Sequence, residues 1–136
     1  MRILAIDYGK KRTGLAVTDP LRIIATALDT IPSDELLKFL QTYLQKEEVS
    51  EFVVGLPKTL SNEDSENAGR VRLFVEQLTA AFPDKKIHLV DERFTSSIAQ
   101  RAMIEGGMKK KDRREKGNVD KISAVIILQD FLASIR

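Results

Sequence analysis

The 136-residue chain fits one domain, and its 43% hydrophobic and 31% charged residues are typical of a globular protein and exclude the disordered and fibrous classes. It contains no cysteine and one histidine, which excludes disulfide frameworks and thiolate metal sites and leaves carboxylates as metal ligands. The formal net charge is only +2, so a nucleic-acid partner requires a local cluster of cations. The apolar start is too short for a signal peptide and no later run matches a membrane span, which predicts a cytoplasmic protein with no membrane partner.

The first thirty residues predict an antiparallel meander. Apolar and β-branched runs alternate with turn residues such as Gly9 and the Asp19-Pro20 pair. The predicted strands cover residues 3–6, 13–19 and 22–31, with turns at 9–12 and 19–20.

The remainder of the chain alternates helices with strands. Leucines at helical spacing follow Pro32, and short continuous apolar runs predict buried parallel strands. Helices are predicted over residues 33–46, 71–82, 95–105 and 118–134, and strands over 51–57 and 86–93. Residues 58–67 predict a polar loop or helix start, and residues 108–117 are nearly all charged.

This order of elements predicts the fold class. Three strands followed by alternating helices and strands form an α/β, three-layer architecture. Its mixed five-stranded sheet has an antiparallel edge made by the hairpins, with helices flanking it. Because no linker or internal repeat is present, residues 1–136 are expected to form a single domain.

Four acids stand at the ends of predicted elements. Asp7 follows the first predicted strand, and Asp91 and Glu92 lie at the end of the last one. Asp120 lies at the start of the final predicted helix. Parallel strands bring their carboxyl ends to one edge, where ligands of open α/β sheets bind. Carboxylates that converge there would need a cation, and oxygen ligands favour Mg²⁺ or Mn²⁺. Two such ions could catalyse an in-line phosphodiester displacement.

Each acid also has a purely structural interpretation. Asp7 could cap a strand end, and Asp120 could complement the helix dipole for about 0.3–1 kcal/mol. Asp91 and Glu92 could belong to a surface ion-pair cluster with Arg93. Because successive strand side chains face opposite ways, only one of the two acids should point into a shared site, and Glu92 is preferred.

Glycines and cations near these acids fit a polyanionic ligand. Gly9 and Gly14 leave room for a phosphate or simply form a hairpin turn, and Arg12 and Arg93 are placed to contact a scissile phosphate. Residues 109–116 contain six basic and two acidic side chains, which gives the segment a net charge of +4. The six are Lys109, Lys110, Lys111, Arg113, Arg114 and Lys116. This segment either binds a phosphate backbone or is a solvated linker.

The aromatic residues and the histidine give weaker indications. His88 is assigned to packing or to the strand surface, because no second histidine or cysteine accompanies it. Tyr8 and Phe94 could stack on a base, but a ring at a strand end more often belongs to the core.

Four motifs occur together, and they resemble the YqgF family, also called RuvX-like, over essentially the whole chain. They are Asp7-x-Gly9-x-x-Arg12-x-Gly14-x-Ala16, Val54-Gly55-Leu56-Pro57, Asp91-Glu92-Arg93-x-Thr95-Ser96 and Lys116-x-x-x-Asp120-x-x-x-Ala124. The first motif alone is weak, whereas the four in family order are a strong signal. Ser123, where members often have alanine, is a small departure that should be tolerated.

The resemblance implies a ribonuclease H-like fold related to RuvC-type junction resolvases. It implies a nuclease that matures the 5′ end of pre-16S ribosomal RNA, with Asp7, Glu92 and Asp120 as its acids. RNA is therefore the first choice of substrate. Four-way DNA junctions are the alternative and would require a symmetric dimer, so both a monomer and a homodimer stay open.

Two other functions compete with the nuclease hypothesis. A phosphate-binding ATPase of the actin or sugar-kinase kind shares a DxGxxxxG loop, but it closes two domains around a nucleotide and this chain has room for one. A non-catalytic nucleic-acid binder or transcription accessory factor could keep the fold and the basic segment without cutting. The presence of all three acids argues against it.

Overall fold

A computed structural model of the chain describes residues 1–56, 68–91 and 116–135, with the backbone alone described for 116–120. The elements are strands β1 (Arg2–Tyr8), β2 (Arg12–Thr18), β3 (Ala25–Pro32), β4 (Val49–Leu56) and β5 (Lys86–Asp91), and helices α1 (Leu36–Lys46), α2 (Ala68–Ala81) and α3 (Lys116–Ser134). A short 3₁₀ turn, Ser33–Glu35, precedes α1.

The five strands form one mixed sheet in the order β3-β2-β1-β4-β5. β1 pairs with β2, and β2 with β3, in the antiparallel sense, whereas β1, β4 and β5 run parallel. The predicted mixed sheet with an antiparallel hairpin edge is therefore confirmed. β1 lies at its centre, which explains why residues 3–6 are fully buried.

Two apolar clusters cover the two faces of the sheet, which gives the predicted three layers. Leu4 and Ile6 of β1 pack on the face covered by α1 and α2. Ile3 and Ala5 pack on the opposite face, together with Ala124 and later residues of α3. Successive residues of one strand thus belong to different clusters, as the period of two requires.

The amphipathic patterns predicted α1 and α2 correctly. Leu36 and Leu40 of α1 are buried on one helical face, and so are Val71, Phe74 and Leu78 of α2. α2 ends before Pro83, as its sequence predicts. The first turn of the helix predicted at residue 33 is a 3₁₀ turn.

The third predicted strand begins too early. Residues 22–24 were expected to belong to it, but β3 begins at Ala25. The Asp19 carboxylate accepts hydrogen bonds from the backbone N–H groups of Ile24 (2.7 Å), Ile23 (2.8 Å) and Leu21 (3.1 Å). These bonds, that of Ile24 foremost, lower the pKa of Asp19 below its ordinary value. The carboxylate therefore closes a loop where β-branched residues alone favour a strand.

Arg22 fixes the same loop from the other side. Its φ of 60° lies in the left-handed region, an uncommon conformation for a residue with a side chain. Its guanidinium donates to the carbonyl oxygen of Met1 (2.9 Å) and to Ser50 Oγ (2.7 Å), and pairs with Glu51 Oε2 at 3.1 Å. These distant contacts stabilise a backbone conformation that no local pattern indicates.

Some predicted segments lie outside the described residues. They are the polar segment 58–67, the helix over 95–105, and the charged segment 108–117 except for the backbone of its last two residues. Within the described ranges, no helix is long and apolar enough to cross a membrane.

Candidate active site

Asp7 lies at the carboxyl edge of the sheet, which is the edge where the parallel strands β1, β4 and β5 end. The last described pair of β4 and β5 joins Leu56 to Asp91 at this edge. Open α/β sheets bind their ligands at such an edge. The structure therefore places Asp7 where the sequence predicts a site.

Strand alternation fixes the face on which Asp7 stands. Ile3 and Ala5 pack against α3, and Asp7 is the next residue of β1 with the same parity. Its side chain is half-buried. Asp7 therefore belongs to the face of the sheet that α3 covers.

The residues opposite β1 on that face are small. Asp7 is paired with Gly14 and Ala5 with Ala16 across the β1–β2 ladder, and directly opposite residues share one face. Gly14 is buried and has no side chain to fill the space beside Asp7. On β2, therefore, no side chain lies directly opposite Asp7 on this face.

The structure bears on the choice between Asp91 and Glu92. Ile87 packs on the α1/α2 face and Val90 on the α3 face. Asp91 has the parity of Ile87, so it belongs to the face opposite Asp7. Glu92 lies outside the described residues, but the exclusion of Asp91 from the α3 face favours it as the second acid.

Helix α3 leads from the carboxyl edge toward the opposite edge. Its last turns line a groove with Ile23, Ile24 and Ala25, next to the end of β2. Earlier in the helix, Ala124 packs in one cluster with Ala5 and Ala16. The helix therefore begins at the carboxyl edge.

The backbone of Asp120 lies one helical turn before Ala124. Four helical residues rise about 6 Å, and the two strand residues from Ala5 to Asp7 span about 6.6 Å. From these two rises we expect position 120 to lie near the level of position 7, and this stays a prediction. The side chain of Asp120 lies outside the description.

The hairpin turn between β1 and β2 requires glycine at position 9. A Cβ atom there would overlap the carbonyl oxygen of Arg12. The structure thus supports the turn interpretation of Gly9, and a contact of Gly9 with phosphate stays a prediction.

Arg12 begins β2 on the same face as Asp7, because it lies two residues before Gly14. It is exposed at the carboxyl edge. Diagonal neighbours across a ladder are about 7–8 Å apart, within reach of an arginine side chain. Asp7 and Arg12 are therefore diagonal neighbours on one face of the β1–β2 ladder.

Two hydroxyl groups that the sequence patterns do not indicate support this turn. Ser33 Oγ donates to the carbonyl oxygen of Gly9 at 2.6 Å and lies 2.8 Å from Thr13 Oγ1. The Ser33 backbone N–H donates to the carbonyl oxygen of Lys11 at 2.9 Å. These contacts join residues about twenty positions apart, so no local pattern signals them.

The other predicted basic residues are not described. Arg93, Lys109, Lys110, Lys111, Arg113 and Arg114 lie outside the described ranges, and only the backbone of Lys116 is placed, at the start of α3. Their roles stay predictions from the sequence.

The assignment of His88 to packing or to the strand surface and that of Tyr8 to the core are confirmed, whereas Phe94 lies outside the described residues. His88 Nε2 is hydrogen-bonded to Glu51 Oε1 at 2.8 Å, and its ring packs on Phe131 with centroids 4.7 Å apart. Tyr8 stacks on Phe74 of α2 at 4.7 Å. Tyr8 thus packs on the face of the sheet opposite Asp7. His88 packs against α3 on the Asp7 face, but in the middle of β5 rather than at its end.

Comparison with known families decides the relationship that the motifs suggest. A family model described as "RuvX: Holliday junction resolvase" matches residues 1–134. The chain belongs to the RuvX family. The predicted resemblance to YqgF and RuvX-like proteins is therefore confirmed over nearly the whole chain.

Bacterial relatives in the RuvX family match over almost their full length. A protein of Phocaeicola vulgatus is 56% identical over 133 residues, 98% of this chain and 96% of its own length. One of Bacteroides thetaiotaomicron is 53% identical over 135 residues, 99% of this chain and 98% of its own. Both carry the name "Putative pre-16S rRNA nuclease".

Solved structures establish the fold of this RuvX-family chain. RuvC of Thermus thermophilus, determined in complex with a Holliday junction substrate, aligns with a TM-score of 0.59 at 16% identity. The alignment covers 99% of this chain and 96% of that one. The predicted ribonuclease H-like fold is therefore confirmed.

The described part of the site fits an oxygen-ligated cation. Asp7 provides a half-buried carboxylate with a glycine opposite it. Such ligands suit Mg²⁺ and Mn²⁺. Among the described side chains, no three histidine, aspartate or glutamate residues form a group that could hold a metal. The other two predicted ligands, Glu92 and the Asp120 carboxylate, are outside that set.

Ser123 of α3 is a buried hydroxyl three residues after Asp120. It is 1% exposed, and its Oγ makes no hydrogen bond to the part of the protein that the structure describes. An unsatisfied buried polar group costs about 1–3 kcal/mol. We expect Ser123→Ala to raise the free energy of unfolding in urea by about 1 kcal/mol.

Ser134→Ala is the control for this prediction, because Ser134 Oγ donates to the carbonyl oxygen of Phe131. Its removal should not stabilise the protein. If Ser123→Ala lowers stability instead, the hydroxyl has a partner and the expected gain is wrong.

Proposed function

We propose that this RuvX-family protein is a divalent-metal-dependent nuclease that processes the 5′ end of pre-16S ribosomal RNA in the cytoplasm. The names of relatives at 50–56% identity support the activity and the substrate. The observation that carries the proposal is the position of Asp7. Asp7 is a half-buried acid at the carboxyl edge of the sheet, on the face that α3 covers, and α3 begins at this same edge.

Asp7, Glu92 and Asp120 are the residues that would hold Mg²⁺ or Mn²⁺, in a pair of sites. When bound, such ions activate a water molecule and stabilise the charge that develops on the phosphate. Asp7 would provide a ligand from the sheet and Asp120 one from the helix, and Glu92 would complete the ligand set. Three carboxylates in one place repel each other without a cation, so binding of the metal should also stabilise the fold.

Arg12 and Arg93 are proposed to bind the phosphate that is cut. A guanidinium donates two parallel hydrogen bonds to phosphate oxygens, which positions the phosphorus as well as offsetting its charge. Arg12 is exposed on the Asp7 face and is therefore placed to do so.

Incubation of the purified protein with end-labelled RNA tests the proposal. The panel contains a fragment that spans the 5′ boundary of 16S RNA, an unrelated structured RNA, and a four-way DNA junction, each with Mg²⁺, Mn²⁺ or EDTA. We expect metal-dependent cuts at defined positions in the first RNA and none in EDTA. Binding of all three without any cut would indicate a non-catalytic binder and overturn the proposal.

Resolution of four-way DNA junctions is the second candidate function. It is favoured by the description of the RuvX family and by the likeness to the fold of RuvC. Two symmetric cuts require a homodimer, whereas processing of an RNA end can be done by a monomer. Paired cuts in the junction by a protein that sediments as a dimer would favour this function.

The basic segment before α3 is proposed to bind the nucleic-acid backbone. We expect the triple substitution of Lys109, Lys110 and Lys111 by alanine to weaken RNA binding similarly for all sequences. The slope of log K against log salt should fall by about 2–3, because each lost phosphate contact contributes about 0.7–0.9. Filter binding over a range of salt concentrations measures both quantities.

Lys46 and Lys86 provide the control for this triple variant. Both are exposed at the edge where the parallel strands begin, away from Asp7. Their replacement by alanine should leave the salt slope near its original value. An unchanged affinity and slope in the triple variant would identify the basic segment as a linker.

A further inference from the structure

Two hydroxyl groups lie beneath the turn that carries Arg12. Thr13 is 0% exposed and its Oγ1 lies 2.8 Å from Ser33 Oγ, at the junction between β3 and α1. Ser33 Oγ donates to the carbonyl oxygen of Gly9 at 2.6 Å. A hydroxyl has one hydrogen, so Thr13 must donate to Ser33. The result is a directed relay from Thr13 through Ser33 to Gly9.

Ser33 holds the turn at two points. Besides the bond of its hydroxyl to Gly9, its backbone N–H donates to the carbonyl oxygen of Lys11 at 2.9 Å. Between these points the chain passes so close to itself that Gly9 has no space for a Cβ atom. Both carbonyls and the close approach thus restrict the path of residues 9–12, and with it the start of the Arg12 side chain.

We propose that Ser33, oriented by Thr13, is a positioning residue that holds Arg12 beside Asp7. The inference rests on the proposed nuclease function, in which Arg12 binds the phosphate and Asp7 the metal. Ser33 itself contacts neither the phosphate nor the metal in this proposal, and it acts through the turn of residues 9–12. Small displacements of a phosphate-binding group lower turnover strongly, since a 1 Å error can cost about a hundredfold.

A double-mutant cycle tests this coupling. Ser33→Ala and Arg12→Ala are made singly and together, and kcat and KM are measured well below the melting temperatures. We expect Ser33→Ala to lower kcat/KM roughly tenfold. In the Arg12→Ala background, the same substitution should have almost no further effect, because its only route to the site is removed.

Three variants complete the design. Ser33→Thr retains a hydroxyl and should keep most of the wild-type kcat/KM. Thr13→Val should lower kcat/KM, as Ser33→Ala does. Ser134→Ala removes another hydroxyl that donates to a carbonyl at 2.6 Å, that of Phe131 in α3, and should leave kcat/KM unchanged. If Ser33 had only a structural role, Ser33→Ala would lower the stability of the protein, but its effect on kcat/KM would not depend on Arg12.

The outcomes separate the inference from the function on which it rests. If the wild type cuts and the losses from Ser33→Ala and Arg12→Ala multiply, Ser33 acts independently of Arg12 and the inference is wrong while the nuclease proposal stands. If the wild type does not cut, the nuclease proposal fails. The same cycle measured on RNA affinity in EDTA then decides the coupling, and multiplying losses there overturn it too.

Discussion

Replacement of Asp7 by asparagine is expected to lower metal-dependent cleavage at least about a thousandfold, because loss of a ligand removes several kcal/mol of transition-state stabilisation. The substitution keeps the shape of the side chain and removes only its charge. Asp7 is half-buried at the end of a strand whose preceding residues are fully buried, so the fold should persist. Single-turnover cleavage with Mn²⁺ measures the effect.

RNA affinity in EDTA and the urea unfolding curve show whether Asp7→Asn spares binding and folding. Asp130→Asn is the matched control, since Asp130 is exposed on α3 ten residues after Asp120. It should cleave at the wild-type rate. Cleavage by Asp7→Asn within a few-fold of the wild type would remove Asp7 from the mechanism.

The second large effect is expected from Gly9→Ala. The added Cβ atom would overlap the carbonyl oxygen of Arg12, which is part of the backbone and cannot rotate away. Overpacking of this kind costs about 1–3 kcal/mol. Relief of the overlap must move the turn, and Arg12 moves with it. We therefore expect a lower free energy of unfolding and a fall in cleavage of at least tenfold, given the cost of small misplacements.

Gly69→Ala is the matched control, because no atom lies within 4 Å of the position of its Cβ. Gly69 lies in the first turn of α2, where alanine is the better helix former by about 0.5–1 kcal/mol. This variant should be slightly more stable and fully active. If both glycine variants behave alike, the close approach at Gly9 does not control the turn.

Local sequence patterns predicted most of the fold. Leu36 and Leu40 recur at helical spacing, and both are buried on one face of α1. The continuous apolar run of β1 predicted a strand buried on both sides, which its central position explains. These elements were predictable because burial of one face or of both imposes a period on the sequence.

The loop before β3 shows where such patterns fail. Ile23 and Ile24 favour a strand by composition, yet their backbone N–H groups donate to the Asp19 carboxylate. Arg22 keeps its left-handed conformation through contacts with Ser50 and Glu51, nearly thirty positions away. A side chain that satisfies the backbone of its own loop competes with sheet pairing, and the sequence period does not record it.

The candidate site was predictable in part. The apolar runs predicted the presence of β1 and β5, although β1 extends to Tyr8, two residues beyond the predicted 3–6. Alternation along a strand required that Asp91 and Glu92 face opposite ways. Which of these two acids lies on the same face of the sheet as Asp7 depends on where α3 packs. The packing of α3 is tertiary structure, which local sequence patterns do not define. The relay through Ser33 was not predictable, since Ser33 looks like an ordinary helix start in the sequence.

We propose that Asp7, Glu92 and Asp120 together hold a divalent cation. Anomalous diffraction from crystals soaked in Mn²⁺ tests it most directly. We predict an anomalous peak within about 2–2.5 Å of carboxylate oxygens of Asp7 and Asp120, with Glu92 in the same ligand set. A peak elsewhere, or a fully occupied Mn²⁺ site that excludes Asp7, would contradict the account.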